Sequence, residues 1–326
     1  MVSSIDPALA EVWRGDYLEA VHHGSVAIVG PDGVRLALGD ATTPFLSRSA
    51  VKPLQAVAML RHGLDLEGPE LALAGASHDG EPFHVDGALS ILDGAGLSPA
   101  DLQNTQDFPS REPLTAWLAA GRGKESIAHN CSGKHAAMVR TCVRAGWPTD
   151  TYRDPSHPLQ LAIRQELTTQ TGEPVGDPVV DGCGAPAFPT TLVGLARAFG
   201  RVAAADEGPE KELADAFRAH PEYASGTRRD EVTYHREVPG LVCKAGAEGT
   251  LAIGLPDGTG VAIKVSDGRH RATVPVAVAI LKALGHSTPA LAELDPEPVL
   301  GHGEKVGRLV ATDLLTQALE GTALVS

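Results

Sequence analysis

The sequence predicts an α+β fold in which both ends of the chain build one antiparallel sheet and a helical insert lies between them. Short apolar runs bounded by turn residues occupy about 18–48 and about 239–285, which is typical of β-strands. The stretch of about 49–238 is rich in candidate helices. Strands at both ends with helices between them favour a sheet with the insert packed on one face. Residues 1–326 are expected to form a single domain, since no linker or repeat interrupts them.

Two β-hairpins are predicted from Pro-Asp-Gly turns. The first joins Ser25–Val29 to Val34–Leu38, and the second joins Thr250–Leu255 to Gly260–Val265. Proline presets φ and glycine supplies a positive φ, so this tripeptide favours a chain reversal. A short apolar run at Leu241–Lys244 predicts a further strand before the second hairpin.

Helices are predicted wherever apolar periodicity continues for two or more turns. Pro53 is compatible with the first of them because it falls in the first turn, where its missing N–H is not needed. The predicted helices are 49–62, 68–76, 83–95, 112–119, 133–145, 157–171, 189–199, 209–219 and 271–284.

The composition is that of an ordinary globular protein with an acidic surface. Hydrophobic residues make up 43 % and charged residues 21 % of the 326 residues, while aromatic residues make up only 4 %. The core must therefore be built mainly from Ala, Val and Leu. A net charge of −14 disfavours a nucleic acid or an anionic membrane as partner.

The compartment expected from the sequence is the cytoplasm. No run approaches the roughly 18 apolar residues of a membrane span. The first residues also lack the basic and apolar regions of a secretory signal. The cysteines are accordingly expected to be thiols, and Cys142 is expected to lie in the core.

Ser49 and Lys52 form the first candidate for catalytic chemistry. Three residues are about one helical turn, so the hydroxyl and the amine share a helix face. Ser-x-x-Lys is the nucleophile motif of penicillin-binding proteins and β-lactamases, in which a neighbouring base activates the serine. By itself the motif is also compatible with a helix-capping serine followed by a solvated lysine.

Two further segments combine reactive side chains with glycine. Cys131 precedes a predicted helix, and a helix N-terminus lowers the pKa of a thiol. Cys131 and Cys183 are compatible with a metal pair or with plain surface turns, because two cysteines alone do not complete a zinc pattern. Lys264 ends an apolar strand, which indicates either edge protection or a relative of the Lys-Thr-Gly strand of β-lactamases.

Several motifs together resemble the rhizobial-type L-asparaginases, the thermolabile class 3 family. The resemblance runs from about residue 18 to about residue 285. It is carried by His23-Gly24-Ser25, Arg48-Ser49-x-x-Lys52-Pro53, Ala76-Ser77-His78-x-Gly80-Glu81, Asn130-Cys131-Ser132-Gly133-Lys134-His135, Asp181-Gly182-Cys183-Gly184, Lys244-Ala245-Gly246-Ala247-Glu248-Gly249 and Lys264-Val265-x-Asp267-Gly268. The family's fold is similar to that of serine β-lactamases and glutaminases, so the resemblance implies a sheet and helical insert of that kind.

The resemblance implies two Ser–Lys tandems and a metal site. The tandems are Ser49 with Lys52, and Ser77 with Lys264. One Zn²⁺ per chain, supporting substrate binding, is implied at Cys131, Lys134 and Cys183, with a water as the fourth ligand. Lysine is an unusual ligand because it must be neutral to coordinate a metal.

The implied activity is hydrolysis of L-asparagine to L-aspartate and ammonia. Ser49, deprotonated by Lys52, is expected to attack the side-chain amide, and the second tandem is expected to protonate the leaving ammonia. Arg48 and Arg229 are candidates for holding the substrate carboxylate, and Asp181 is expected to orient the metal-bound water. The expected partners are this small-molecule substrate and a second copy of the chain in a homodimer.

Two alternatives to asparagine hydrolysis remain open from the sequence. One is another serine amidohydrolase on the same fold, such as a glutaminase. The other is a binding protein without catalysis, although a binding module has no need of paired serines and lysines. The β-lactamase Ser-Asp-Asn motif is absent from the sequence, which disfavours β-lactam hydrolysis.

Overall fold

A seven-stranded antiparallel sheet is the centre of the computed structural model, which describes residues 6–110, 112–295 and 297–322. The strands are β1 (Ala8–Arg14), β2 (Tyr17–Gly30), β3 (Gly33–Leu38), β4 (Phe45–Leu46), β5 (Val179–Val180), β6 (Pro186–Ala187), β7 (Pro189–Thr190), β8 (Val242–Gly246), β9 (Thr250–Gly254), β10 (Gly260–Val265), β11 (Leu300–Gly301), β12 (Glu304–Lys305) and β13 (Gly307–Ala311). The large sheet has the order β13-β1-β2-β10-β9-β8, and β3 also pairs with β2.

Most helices lie between the two groups of sheet strands. The α-helices are α1 (Lys52–Arg61), α2 (Gly68–Ala74), α3 (Pro82–Asp93), α4 (Pro113–Ala119), α5 (Ser132–Ala145), α6 (Pro158–Thr171), α7 (Leu192–Ala204), α8 (Gly208–Ala219), α9 (Pro221–Ala224), α10 (Asp230–Glu237), α11 (Thr273–Ala283), α12 (Pro289–Ala292) and α13 (Asp313–Glu320). Short 3-10 helices occur at Arg48–Val51, Pro99–Asp101, Ser126–Ala128 and His270–Ala272.

The predicted α+β fold is confirmed, and the sheet extends beyond the predicted segments. Both predicted hairpins form, with Gly30 paired to Gly33 and Gly254 paired to Gly260. Strands β1 and β13 lie outside the two segments in which the sequence predicted sheet strands, about 18–48 and about 239–285. They pair with each other along the edge of the sheet. Strand β1 is joined to β2 by a two-residue turn at Gly15-Asp16, a local signal that the sequence interpretation did not use. The pairing of β1 with β13 joins distant segments and leaves no local signal.

Helices cover both faces of the sheet, whereas the sequence predicted cover on one face. Ala27 and Val29 point into the core formed with the helical insert. Val26 and Ile28 point into a second core, which includes residues of α10, α11 and α13. Successive side chains of a strand alternate between faces, so the unbroken apolar run of β2 is explained by burial on both sides.

Helix α7 lies unusually close to the sheet because glycines form the contact. A Cβ on Gly260 would lie 1.7 Å from the carbonyl oxygen of Ala196, and a Cβ on Gly254 would lie 2.0 Å from that of Phe199. These distances leave no room for any side chain at either strand position. The close contact holds the insert against the strands that carry the site described below. None of the described helices has the combination of length and hydropathy that a membrane crossing needs.

Gly260→Ala should lower the free energy of unfolding by about 1–3 kcal/mol, since the new methyl group overpacks the interface between α7 and β10. The measurement is urea unfolding followed by circular dichroism. Gly123→Ala is the matched control, because a Cβ there has nothing within 4 Å. An unchanged stability for Gly260→Ala would show that α7 can move away from the sheet at little cost.

Candidate active site

A cavity of about 270 Å³ lies where the edge strand β8 faces the start of α1. A Cβ on Gly246 would lie 2.5 Å from the carbonyl oxygen of Ser47, so glycine allows the strand to approach the 3-10 helix Arg48–Val51. The cavity is lined by Ser49, Ser77, Asn130, Arg229, Glu231, Lys244, Ala245, Gly246, Ala247, Glu248, Gly249, Gly268, His270 and Glu297. A larger pocket of about 490 Å³ around Glu81 and Arg228 has no serine or cysteine nucleophile among the described residues that line it.

The backbone turns sharply just before Ser49. Arg48 has a φ of 51°, a left-handed conformation that is costly for a residue with a side chain. Its Nε donates to Asp181 Oδ1 at 2.6 Å, which anchors the turn to the loop after β5. The turn presents Ser49 to the cavity at the start of a helical segment.

Lys52 is the hub of the site. It is only 1 % exposed. Its Nζ donates to the Ala76 carbonyl at 2.7 Å, to Ser77 Oγ at 2.9 Å and to Cys131 Sγ at 2.9 Å. An ammonium group has three protons, so these three acceptors account for all of them. Ser49 Oγ has no hydrogen bond to any described residue. Lys52 is therefore bonded to Ser77, whereas the sequence predicted that it would pair with Ser49.

The segment that carries Ser77 is fixed by hydrogen bonds on both sides. The Ser77 N–H donates to the Ala224 carbonyl at 3.3 Å, and the His78 N–H donates to the Asn130 carbonyl at 3.0 Å. The Arg229 guanidinium donates from Nε to both carboxylate oxygens of Asp79, at 3.0 and 3.1 Å. Ser77 is therefore held between the loop before α5 and the loop before α10.

Burial of His78 adds a neutral imidazole to the same segment. Burial and the neighbouring His84 and Lys52 lower the pKa of His78 well below its usual value. Its Nδ1 accepts the Gly80 N–H at 3.1 Å, so Nε2 carries the proton and donates to Ser132 Oγ at 3.0 Å. His78 therefore links the serine segment to the first turn of α5.

Lys264 does not contact Ser77, in contrast to the predicted second tandem. Its Nζ donates to the carbonyl oxygens of Glu248 at 2.5 Å and Val265 at 2.6 Å. Lys264 lies on β10, which is an inner strand between β2 and β9. Because β8 is the strand at the edge that faces the serines, Lys264 is two strands away from that edge.

Lys244 on the edge strand is the second buried lysine of the cavity, and the sequence interpretation gave it no catalytic role. It is 1 % exposed, and its Nζ donates to the Ala245 carbonyl at 2.8 Å. Burial lowers the pKa of Lys244 to about 8, although the Glu231 carboxylate acts in the opposite direction. The signal was present: Lys244-Ala245-Gly246 follows an apolar run, as in the Lys-Thr-Gly strand of β-lactamases.

Helix α10 covers the free edge of β8. On one side the residues of β8 are opposite those of β9, with Lys244 opposite Ala252, for example. Two odd-numbered amides bond to α10 instead: Cys243 N–H donates to His235 Nε2 at 3.3 Å, and Ala245 N–H donates to Glu231 Oε1 at 3.4 Å. Ala247, the next odd-numbered residue, lies just past the strand and lines the cavity.

Cys131, Lys134 and Cys183 are brought together beside Lys52. Lys134 Nζ lies 3.3 Å from Cys183 Sγ, and all three side chains are buried. A hydrogen bond from Cys183 and the nearby amines of Lys52 and Lys134 hold the pKa of the Cys131 thiol well below its usual range, although burial opposes them. A thiolate next to a second sulfur and an amine is a donor set that suits zinc.

Two other features of the thiol cluster bear on metal binding. The buried Nε2 of His135 has no hydrogen-bond partner in the described part of the chain, while its Nδ1 bonds to Tyr152 Oη at 2.7 Å. Within residues 6–110, 112–295 and 297–322, no three His, Cys, Asp or Glu side chains group as metal ligands. A metal here would thus depend on lysine as its third ligand, since Asp181 bonds to Arg48.

The other two cysteines lie away from the cluster, and all four are free thiols, as predicted. Cys142 lies in the core, as predicted, and burial raises its pKa to about 12. Cys243 is buried on β8. Neither therefore has the environment of Cys131.

A cavity that joins two serines to buried lysines is typical of hydrolases with a serine nucleophile. The family comparison is more specific, because residues 10–311 match the family L-asparaginase II. The chain belongs to the L-asparaginase II family. This confirms the predicted family and the predicted class of enzyme, an amidohydrolase.

Comparison with solved structures gives more distant similarities. A β-lactamase from Mycobacterium bovis is 16 % identical, with 79 % of this chain and 94 % of that chain covered and a TM-score of 0.46. The native form of Mglu is 13 % identical, with 76 % and 61 % covered and a TM-score of 0.44. A probable glutaminase from Bacillus subtilis, complexed with 6-diazo-5-oxo-L-norleucine, is 14 % identical, with 81 % and 84 % covered and a TM-score of 0.37. The chain thus spans 61 % of the length of Mglu. A search of curated proteins found no significant match.

Proposed function

We propose that this protein hydrolyses L-asparagine to L-aspartate and ammonia at the cavity beside β8. Membership of the L-asparaginase II family supports the substrate. The observation that carries the proposal is the placement of Ser49, Ser77 and Lys244 around one cavity, with Lys52 bonded to Ser77. This set contains a nucleophile and separate groups that can accept and donate protons.

Ser49 is the proposed nucleophile, and Lys244 is the proposed base. Each of the three protons of the Lys52 ammonium is in a hydrogen bond to a neighbour. Lys52 is therefore poorly placed to accept a further proton. Lys244, with a pKa of about 8, has a free-base fraction near neutral pH. As Ser49 attacks the amide carbon, its O–H bond breaks and the proton moves to Lys244. The N–H groups of Ser49 and Ala247 are the proposed donors to the oxyanion, since Ser49 lies in the first turn of a helical segment and Ala247 lies just past the end of the edge strand.

The Lys52–Ser77 pair is the proposed acid. Lys52 donates to Ser77 Oγ, so the serine hydroxyl can donate onward to the leaving nitrogen while Lys52 replaces its proton. The C–N bond breaks and ammonia leaves. Water then attacks the Ser49 ester and gives a proton to Lys52 through Ser77, and Lys244 returns its proton to the Ser49 oxygen. Both lysines end the cycle as they began it.

The substrate's charged ends require partners outside this proton chemistry. Arg229 lines the cavity and is the proposed partner of the α-carboxylate. Arg48 and Asp181 bond to each other, and we propose that they support the turn at Ser49 in addition to their expected role near the substrate.

The homodimer, the cytoplasmic location and a single catalytic domain over 1–326 remain predictions.

A zinc site at Cys131, Lys134 and Cys183 fits the donors present and remains part of the proposal. A zinc ion bound there would supply a fixed positive charge for the amino and carboxylate ends of the substrate. The side chains themselves have a separate effect, because Cys131 accepts a hydrogen bond from Lys52 and so helps to hold the acid of the reaction in place.

Purified protein should release ammonia from asparagine, and Lys244→Met should lower kcat/KM by about 10²-fold or more because it removes the proton acceptor. Lys264→Met, also a lysine-to-methionine change on the sheet, is the matched control and should retain most of the activity. The measurement is coupled detection of ammonia.

Glutamine should be turned over on the order of 10²-fold less efficiently than asparagine, since one extra methylene displaces the amide from the serine.

Three results would count against this assignment. Equal turnover of glutamine would favour the glutaminase alternative, and no turnover of either amide would remove the proposed activity. A steep loss in Lys264→Met with normal activity in Lys244→Met would restore the tandem predicted from the sequence.

Metal analysis of the purified protein should find about one zinc per chain, which Cys131→Ser and Cys183→Ser should each lose. Both variants should raise KM more than they lower kcat if the metal only binds substrate. Cys142→Ala should keep the metal, because Cys142 lies in the core away from the cluster. Zinc that persists in both serine variants, or is absent from wild type, would leave the two cysteines as ordinary thiols.

A further inference from the structure

Glu231 and Lys244 form a buried pair of opposite charges beside the cavity. Glu231 is 3 % exposed and Lys244 is 1 % exposed. Lys244 Nζ lies 3.7 Å from Glu231 Oε1, slightly beyond hydrogen-bond distance. The other carboxylate oxygen, Oε2, is buried and has no hydrogen-bond partner in the described parts of the chain.

Burying a carboxylate oxygen without a hydrogen-bond partner costs free energy, so its presence in a folded protein needs an explanation. Glu231 Oε1 is held by the Ala245 N–H at 3.4 Å, which fixes the carboxylate against the strand that carries Lys244. Asp230, the neighbouring carboxylate on α10, bonds to His270 instead. Oε2 is thus left as an acceptor for a proton donor that is not bonded to it in this state.

Most of the surroundings of Lys244 oppose a positive charge on its amine, and Glu231 is the main group that favours that charge. Lys52 on α1 and Arg229 at the start of α10 both disfavour a charge on Lys244, and so does burial. Glu231 favours the charge, and the Cys243 thiol on β8 contributes in the same direction. A lysine that takes a proton in this place needs a nearby negative charge, because the low-dielectric interior penalises an unpaired ammonium.

We propose that Glu231 is a positioning residue for the hydrolysis: its carboxylate holds the Lys244 amine beside the serines and stabilises the ammonium formed there. This rests on the proposed function. As the Ser49 O–H bond breaks and an N–H bond forms on Lys244, the ammonium moves toward Glu231 and the pair becomes a charge-assisted hydrogen bond. Hydrogen bonds of this kind are often long in the unliganded state and shorten in the transition state.

The test compares wild type with Glu231→Gln, which keeps the size of the side chain and removes its charge. The Lys244 amine is labelled competitively with acetic anhydride across a pH series, and its modification is measured by mass spectrometry. Because the carboxylate stabilises the charged lysine, its removal should move the midpoint of labelling down by about 1–3 pH units. The acidic limb of kcat/KM for asparagine should move down by a similar amount, and the plateau should fall because the amine is a weaker base.

Two further variants separate this role from a structural one. Glu237→Gln makes the same chemical change on α10 outside the cavity lining, and it should leave both midpoints unchanged. Glu231→Asp keeps the charge and should move both midpoints back toward the wild-type values. Thermal unfolding of each variant establishes that the compared proteins are folded.

The labelling result can be interpreted without any activity. A Lys244 midpoint that is the same in wild type and Glu231→Gln would overturn the proposal, and so would an equal shift in Glu237→Gln. If wild type does not hydrolyse asparagine, the proposed function fails instead, while the labelling midpoints still show whether Glu231 controls Lys244.

Discussion

The burial of the Lys52 ammonium is the constraint on which the rest of the site depends. A lysine that is 1 % exposed must have acceptors for its protons, or the cost of burying its charge would unfold the surrounding structure. Its acceptors come from the end of α2 and the start of α5, at Ala76, Ser77 and Cys131. Three segments that are distant in sequence therefore have to converge, and their convergence places a serine and a thiol next to one amine.

The sheet supplies the opposite wall through its edge strand. Glycine at Gly246 lets β8 approach the backbone at Ser47, and glycines at Gly254 and Gly260 let α7 press the insert onto the neighbouring strands. Small residues in the sheet thus determine how wide the cavity is. An edge strand usually invites unwanted pairing, but here the side chains of α10 bond to its outward amides, so the edge is covered and one end of it is left for the site.

Local patterns were enough to predict most helices of the insert and both hairpins, because caps, turns and apolar periodicity are local properties. Strand order is not local, and this is why the sequence paired Ser77 with Lys264, which the structure places two strands away from the edge that faces the serines. Lys264 and Lys244 both follow apolar strands in the sequence, and only the order β10-β9-β8 shows which one faces the serines. Helix α10 was missed for a related reason: its segment, Asp230–Glu237, is largely polar, and its helical state depends on packing against β8.

The most direct test of the account is to locate the residue that forms the covalent bond. A diazo ketone analogue of asparagine, in which a diazomethyl ketone replaces the amide, reacts with a nucleophile and loses nitrogen, and peptide mass mapping identifies the modified residue. The account predicts one adduct per chain on Ser49, no adduct in Ser49→Ala, and labelling retained at Ser49 in Ser77→Ala. An adduct on Ser77, or a Ser49→Ala variant that still hydrolyses asparagine at the wild-type rate, would contradict the central claim that Ser49 attacks while Lys52 and Ser77 deliver the proton.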